Sequence, residues 1–265
     1  MGADGVAQVA RTIAVINNKG GVGKTTASKA LCEGMAERGL NVLLIDMDAQ
    51  ANITTWMKAE TAPDAFTVFN LLEKPKMPLS DCVQFMDECD IIAGDIAMKD
   101  LDSVLSQGLG RELRLKRALE PAMDVYDYIV IDCPPSLGLS TLNALVAADD
   151  VIIVTEPSMF SINGFGNVYD LVESIKVDYA FNPDLKIDGI LLNKYSRDEV
   201  ASRAADEQLP AIAELGHTKL YAARPMKHKA IEDAANNKQP LFGFRPNDAA
   251  VAEFRKFVDE YLGGE

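Results

Sequence analysis

The sequence has few features that would place the chain in a membrane or outside the cell. None of its hydrophobic stretches approaches the ~18 apolar residues that a membrane helix needs. Residues 1–10 lack the basic cluster and apolar run of a cleavable signal. Val6 stands where an N-terminal acylation motif requires Ser or Thr. We therefore expect a cytoplasmic protein.

Cysteine and positive charge are also scarce. The four cysteines include no closely spaced pair that would suggest a metal cluster, so we expect reduced thiols. Lysine and arginine number 26 against 40 acidic residues, which gives a formal charge of -14. This balance argues against constitutive, tight binding to nucleic acid, although it allows a local basic patch.

Apolar segments rich in Val and Ile are separated by helical patterns along the chain. Because these segments are apolar throughout rather than alternating, they are typical of strands covered on both faces. The sequence therefore predicts an α/β fold with a doubly wound, mainly parallel sheet and helices on both faces. Nothing divides residues 1–265 into more than one domain. The predicted strands are 12–16, 42–45, 128–131, 151–154 and 187–192.

Two further segments have a clear local pattern. A helix is predicted over residues 24–38, ending at Gly39, since glycine suits the end of a helix. Prolines such as Pro75 and Pro78 interrupt residues 57–90, so an irregular insertion with short helices is predicted there, one of them over residues 66–72.

A glycine-rich loop, Lys-Gly-Gly-Val-Gly-Lys-Thr-Thr, joins the first strand to this helix. Glycines let backbone N–H groups surround phosphate oxygens, and the helix N-terminus adds a favourable dipole. Lys24 would reach the β- and γ-phosphates of a nucleotide, and the Thr25 hydroxyl would ligate Mg²⁺. A glycine-rich turn without a ligand is the alternative, because Asn18 replaces the first glycine of the strict motif. The predicted nucleotide-binding residues in the loop are Gly20, Gly21, Val22, Gly23, Lys24, Thr25 and Thr26.

The loop begins with a second lysine, Lys19, and in this it resembles the deviant Walker A loop of the ParA/MinD family of P-loop ATPases. A solvated lysine is the alternative interpretation of Lys19, since lysine is rarely buried unless paired. In the family, the first lysine reaches across a dimer interface to the partner's ATP. The resemblance implies that Lys19 acts in trans and Lys24 in cis. It also implies that ATP and Mg²⁺ are the cofactors and that ATP produces a homodimer.

Two predicted strands end in aspartates, Asp46 with Asp48 and, further along, Asp132. Carboxylates at this edge of a doubly wound sheet hold Mg²⁺ waters or orient an attacking water. Asp132 occupies the place of a Walker B aspartate, and we predict Asp46 and Asp132 as magnesium residues. Asp46 could also be a structural partner, and a helix cap or loop carboxylate is the alternative for both Asp46 and Asp48. The resemblance extends to the Asp-x-Asp-x-Gln stretch and implies that Asp48 orients the hydrolytic water, so the predicted catalytic residues are Lys19, Lys24 and Asp48.

Asn193 ends the last predicted strand, and its amide suits the edge of an adenine base. The family uses an asparagine there, so the resemblance implies that Asn193 contributes to base binding. A strand-ending asparagine is also a common turn residue, which is the alternative.

Members of the family differ in what they move or bind. Residues 251–265 interleave acids and lack the basic face of a membrane-binding helix, so we expect no membrane partner. No second cysteine suits an iron–sulfur cluster shared between subunits. About ten residues precede the first strand, which leaves no room for an N-terminal DNA-reading domain. The chain is therefore most similar to the small or chromosomal type of ParA.

Residues 217–229 contain four lysines and arginines, both histidines and no acid. Two copies side by side would form a phosphate-binding surface, and we predict DNA contacts for Arg224, Lys227 and Lys229. An ordinary solvated loop and helix start is an equally good interpretation.

The function hypothesis is a partition ATPase whose ATP dimer binds DNA non-specifically and associates with the nucleoid. A ParB-like centromere-binding partner on a plasmid or chromosome would stimulate hydrolysis. The alternative is a sibling ATPase that positions protein cargo or, like MinD, the cell-division site.

Overall fold

The computed structural model describes residues 9–62, 64–157 and 161–263, with the backbone alone for residues 161–164. Within these ranges eight strands form a single sheet. The strands are β1 (Arg11–Ile16), β2 (Val42–Asp46), β3 (Val83–Gln84), β4 (Asp90–Ile92), β5 (Tyr128–Asp132), β6 (Asp150–Thr155), β7 (Lys186–Leu192) and β8 (Lys219–Leu220). Their spatial order is β3-β4-β2-β5-β1-β6-β7-β8, and β3 with β4 is the antiparallel pair among otherwise parallel neighbours.

Helices connect the strands and cover the sheet. The α-helices are α1 (Lys24–Ala36), α2 (Asn52–Met57), α3 (Val68–Glu73), α4 (Leu101–Val104), α5 (Arg114–Leu119), α6 (Leu139–Ala147), α7 (Ser161–Glu173), α8 (Val200–Leu215), α9 (Lys229–Asn236), α10 (Leu241–Phe244) and α11 (Ala249–Leu262). Short 3-10 helices cover Leu79–Asp81, Ile96–Asp100, Arg111–Leu113 and Glu120–Ala122, and a π-helical turn covers Ser174–Asp178. Across the described part of the chain, no helix is both long and apolar enough to cross a bilayer.

The central strand β1 shows why the fold has helices on both faces. Its side chains alternate between two hydrophobic cores, as the period of a strand requires. Ile13 and Val15 pack in the core that includes α1 and α11, whereas Ala14 and Ile16 pack in the core that includes α5 and α6. All four are fully buried. The predicted α/β architecture is confirmed.

The structure differs from the prediction at the edges of the sheet. The five predicted strands are present, and the chain turns after α1 at Gly39, whose φ of 76° is left-handed. The prediction for residues 57–90 was incomplete, because this segment contains β3 and the first residue of β4 as well as short helices. Strand β8 was also missed. These strands are two or three residues long, so they offer too little sequence for a hydrophobic pattern to develop.

A buried ionic cluster on α1 fixes the chain after α9. Lys29 pairs with Glu33 at 2.8 Å and also with Glu88. The Glu33 carboxylate accepts the backbone N–H groups of Leu241 and Phe242, each at 2.8 Å. These contacts anchor the start of α10 to the helix that follows the glycine-rich loop.

Trp56 on α2 provides a second anchor for the same region. Its indole N–H donates to the carbonyl of Gln239 at 2.8 Å, and its side chain is almost fully buried. The segment after β2 is therefore connected to the segment before α10.

Candidate nucleotide-binding site

The glycine-rich loop lies at the carboxyl end of β1, between the ends of β5 and β6. Gly21 and Gly23 have φ values of 77° and 100°, a region that L-residues with side chains rarely adopt. A Cβ added at Gly23 would lie 2.0 Å from the Asn193 amide nitrogen. Side chains are therefore excluded from Gly23 by both conformation and space. The curved form of the loop backbone therefore depends on glycine at this position.

Two buried asparagines hold the loop in place. The Asn17 amide donates to the Val154 carbonyl at 2.7 Å, and its oxygen accepts the Lys19 backbone N–H at 2.9 Å. The Asn193 amide donates to the Val22 carbonyl at 2.8 Å. Asn193 thus lies against the phosphate loop, as a residue of this site should, and its role with the base stays a prediction. Asn17 was missed by sequence reasoning, although a polar residue directly after a buried strand is a usable signal.

Lys24 begins α1 and is 6% exposed. Its ammonium donates to the Lys19 carbonyl at 3.2 Å, and among the described residues it has no carboxylate ion pair. Burial lowers the pKa of Lys24, while the charges of Asp132 and Asp48 oppose this shift. A buried ammonium without a carboxylate partner, next to loop N–H groups, is suited to binding phosphate oxygens.

Asp46 and Asp132 are neighbours across β2 and β5, and both are buried. Asp132 Oδ1 accepts the Ser28 hydroxyl at 3.0 Å, whereas Oδ2 is buried without a hydrogen-bond partner in the described part of the chain. Burial raises the pKa of Asp132 to about 7, and the nearby Asp46 charge adds to this shift. Hydroxyl groups of Thr25 and Ser28 and the charge of Lys24 oppose it. Asp132 thus has a buried oxygen that makes no hydrogen bond within the described part of the chain.

This unused oxygen is where a metal ion would fit. Mg²⁺ prefers oxygen ligands and usually binds through one or two side chains together with water and phosphate oxygens. Asp132 and the hydroxyl of Thr25 supply such oxygens beside the phosphate loop. The residues present are therefore suited to the magnesium ion that the sequence predicts.

Asp46 has a different environment. Its Oδ1 accepts the Asp48 N–H at 3.0 Å, and its Oδ2 accepts the Thr54 N–H at 3.2 Å and the Thr54 hydroxyl at 2.6 Å. Burial raises the pKa of Asp46 to about 6, against the effect of these hydrogen bonds. The contacts favour a structural role for Asp46, the alternative that its sequence position left open. Its direct role with the metal stays a prediction.

Asp48 follows β2 and is only partly buried. Its Oδ1 accepts the Gln50 N–H at 2.9 Å, which closes a local turn. Asp48 lies two residues after the buried Asp46, and its water-orienting role stays a prediction.

Lys19 is folded onto its own protomer. Its ammonium contacts Glu156 Oε1 at 2.6 Å, and Glu156 Oε2 contacts the ammonium of Lys194 at 3.1 Å. Glu156 was not predicted, because it lies in the loop after β6, 137 positions from Lys19 in the sequence. The trans role of Lys19 stays a prediction.

The predicted DNA-binding residues are held in different ways. Arg224 pairs with Asp206 at 3.0 Å and donates to the carbonyls of Tyr221 and Ala223. These contacts use the Nε and Nη1 atoms of its guanidinium, and its predicted phosphate contact stays a prediction. Lys227 and Lys229 are exposed at the start of α9 and take part in no ion pair among the described residues.

Comparison with known proteins places the chain in a family. A family model described as an AAA domain matches residues 10–187. The chain is 32% identical to the sporulation initiation inhibitor protein Soj of Bacillus subtilis over 253 residues, or 94% of this chain and 97% of Soj. It is 30% identical to the chromosome partitioning protein ParA of Caulobacter vibrioides, over 96% of this chain and 95% of that protein. The chain belongs to the ParA/MinD family of P-loop ATPases.

The structural comparison agrees with this membership. A cobyrinic acid a,c-diamide synthase of Mycobacterium smegmatis, solved with an ATP analogue and magnesium, has a TM-score of 0.81 and 29% identity, covering 96% of this chain and 95% of that one. The predicted P-loop fold, ATPase activity and use of ATP with Mg²⁺ are confirmed for this ParA/MinD-family chain. The roles of individual site residues stay predictions.

Proposed function

We propose that this ParA/MinD-family ATPase forms an ATP-dependent homodimer that binds DNA without sequence preference and partitions a plasmid or chromosome. A ParB-like centromere-binding protein is its proposed partner, and the ATP dimer associates with the nucleoid. The observation that carries the proposal is the similarity to Soj and to a chromosome partitioning ParA over nearly the full length of each chain.

The geometry of the site supports different roles for its residues during hydrolysis. Loop N–H groups and Lys24 hold the β- and γ-phosphates, and Asp132 with Thr25 holds Mg²⁺, which offsets the phosphate charge. Asp48 orients a water for attack on the γ-phosphorus, and the bond to the β-phosphate oxygen breaks to leave ADP. Lys19 of one protomer reaches the ATP of the other, so hydrolysis depends on the dimer.

DNA binding is proposed to require the dimer because the monomer is strongly acidic, at -14. Contacts of lysines with phosphates are individually weak and add through counterion release. Two protomers bring four exposed lysines together, namely Lys227 and Lys229 of each. Nucleotide-driven dimerisation would then switch DNA binding on.

The test is fluorescence anisotropy with a random-sequence duplex, with and without ATP, over a salt series. The variant Lys227→Glu/Lys229→Glu should lower affinity in the ATP state without changing dimerisation. Because each phosphate contact contributes about 0.9 to the logarithmic salt slope, loss of four should reduce it by roughly 3 to 4.

The matched control is Lys116→Glu/Arg117→Glu. Both residues are exposed on α5. Helix α5 packs against one face of the sheet, whereas Ile231 and Ala234 of α9 pack in the core on the opposite face. This control makes the same charge change and should leave DNA affinity much closer to wild type. An ATP dimer that binds no DNA even at low salt would contradict the proposal and favour the protein-cargo alternative.

A further inference from the structure

Three charged side chains meet where β1, β6 and β7 end. Lys19 lies in the phosphate loop after β1, Glu156 directly follows β6, and Lys194 lies two residues after β7. These strands are parallel neighbours, so their carboxyl ends lie at the same edge of the sheet. Each oxygen of Glu156 contacts a different ammonium, at 2.6 Å for Lys19 and 3.1 Å for Lys194. One carboxylate is thus shared between two lysines.

Backbone contacts and conformation constrain the positions of the two lysines in this cluster. The backbone of Lys19 is held by Asn17, and Lys194 follows the buried Asn193 with a left-handed φ of 54°. The side chain of Glu156 is 22% exposed, compared with 43% for Lys19. Burial disfavours the ionised form of Glu156, but hydrogen bonds from Lys19 and Lys194 outweigh this effect and lower its pKa. The carboxylate is therefore charged at neutral pH.

We propose that Glu156 is a positioning residue that holds Lys19 against its own protomer and thereby opposes ATP-dependent dimerisation. This inference rests on the proposed function, since it takes Lys19 to contact the partner's ATP in the dimer. In this proposal the ammonium of Lys19 exchanges Glu156 of its own protomer for a phosphate across the interface. Each protomer would then release Lys19 from Glu156 as the dimer closes.

Lys194 has the opposite effect because it competes with Lys19 for the same carboxylate. With Lys194 present, part of the Glu156 charge is already neutralised, and Lys19 is held less tightly. Removal of Lys194 would leave Glu156 with Lys19 as its remaining lysine partner in this cluster. The two substitutions should therefore shift dimerisation in opposite directions.

The experiment measures the dimer dissociation constant by analytical ultracentrifugation, with saturating Mg²⁺ and a non-hydrolysable ATP analogue. Partly exposed ion pairs are weak, and two are released per dimer, so Glu156→Gln should tighten the dimer by about 2- to 30-fold. Lys194→Met should weaken it. Glu173→Gln is the matched control and should leave the constant unchanged. Glu173, the last residue of α7, pairs at 3.1 Å with Lys176 of the π-helical turn that follows.

A double-mutant cycle separates positioning from a general effect on the fold. In a Lys19→Met background, Glu156→Gln should no longer change dimerisation, because the side chain that it releases is gone. A change of the same size in that background would overturn the proposal. An unchanged or weaker dimer in the single Glu156→Gln variant would overturn it too.

Lys194→Met keeps the proposal testable if Glu156→Gln does not fold, because Lys194 is a partly exposed position. A dimer as tight as wild type in that variant would then count against competition for Glu156. No DNA is present in these measurements. Failure of the ATP dimer to bind DNA would therefore contradict the partition function and leave the positioning result unaffected.

Discussion

The phosphate-loop edge and the basic start of α9 hold their charges in opposite ways. At the loop edge Lys24, Asp46 and Asp132 are at most 6% exposed and are fixed by hydrogen bonds or by packing. At the start of α9 Lys227 and Lys229 are exposed and solvated. Charges buried in one protomer act strongly and individually, whereas exposed charges act weakly and need a second copy to accumulate. The phosphate loop, Lys24 and the two buried carboxylates thus come from one chain, whereas the proposed DNA surface needs two.

The largest effect is expected for Lys24→Ala. Removing the buried ammonium takes away a cation that faces the phosphates close to Asp132 and Asp48, so productive Mg-ATP binding should be abolished. Isothermal titration calorimetry on folded protein measures this. Lys116→Ala, at an exposed lysine, should bind ATP as the wild type does. Unchanged affinity in Lys24→Ala would remove the basis for the loop assignment.

Asp48→Ala should have a smaller effect, confined to turnover. If Asp48 orients the attacking water, the variant should bind ATP and dimerise but hydrolyse about 100- to 10,000-fold more slowly. Phosphate release and sizing with ATP measure the two properties separately. Asp87→Ala, at an exposed carboxylate, should match wild type in both. Wild-type hydrolysis by Asp48→Ala would rule out its water-orienting role.

Two glutamates of α1 and its C-terminal end allow a direct comparison of a buried and an exposed charge. Glu33 is buried with Lys29 and two backbone N–H groups, whereas Glu37 pairs with Arg255 at the surface at 2.9 Å. Glu33→Ala should lower the free energy of unfolding by about 3–5 kcal/mol, because it leaves Lys29 and both N–H groups without this partner. Glu37→Ala should cost at most about 1 kcal/mol.

Urea denaturation followed by circular dichroism gives both values. Glu33 and Glu37 undergo the same truncation, so the difference between them isolates the effect of burial. Equal losses of stability in the two variants would show that burial does not decide the strength of charged contacts in this protein.

The sequence predicted the parts of the molecule whose signal is local. Five strands are continuous apolar runs. The loop is rich in glycine because its backbone adopts positive φ values, such as 100° at Gly23, that other residues rarely adopt. Asp46 and Asp132 were grouped correctly because the carboxyl ends of parallel strands meet at one edge of a sheet.

Contacts between distant parts of the chain could not be predicted in this way. Lys19 and Glu156 are 137 positions apart, and their pairing depends on the neighbouring positions of β1 and β6 in the sheet. Arg224 gives a second example. Its basic neighbours in the sequence predict a phosphate contact, and the fold also brings Asp206 to its guanidinium, a pairing that the sequence does not show.

The position of Trp56 gives the protein a built-in optical probe. Trp56 is the single tryptophan of the chain, and it lies on α2, two residues after the Thr54 that binds Asp46. Indole emission responds to changes in polarity and hydrogen bonding around the ring. A rearrangement that alters the contact between Trp56 and Gln239 would therefore change the intrinsic fluorescence. Stopped-flow mixing with nucleotide could follow that rearrangement in real time, on the unlabelled protein.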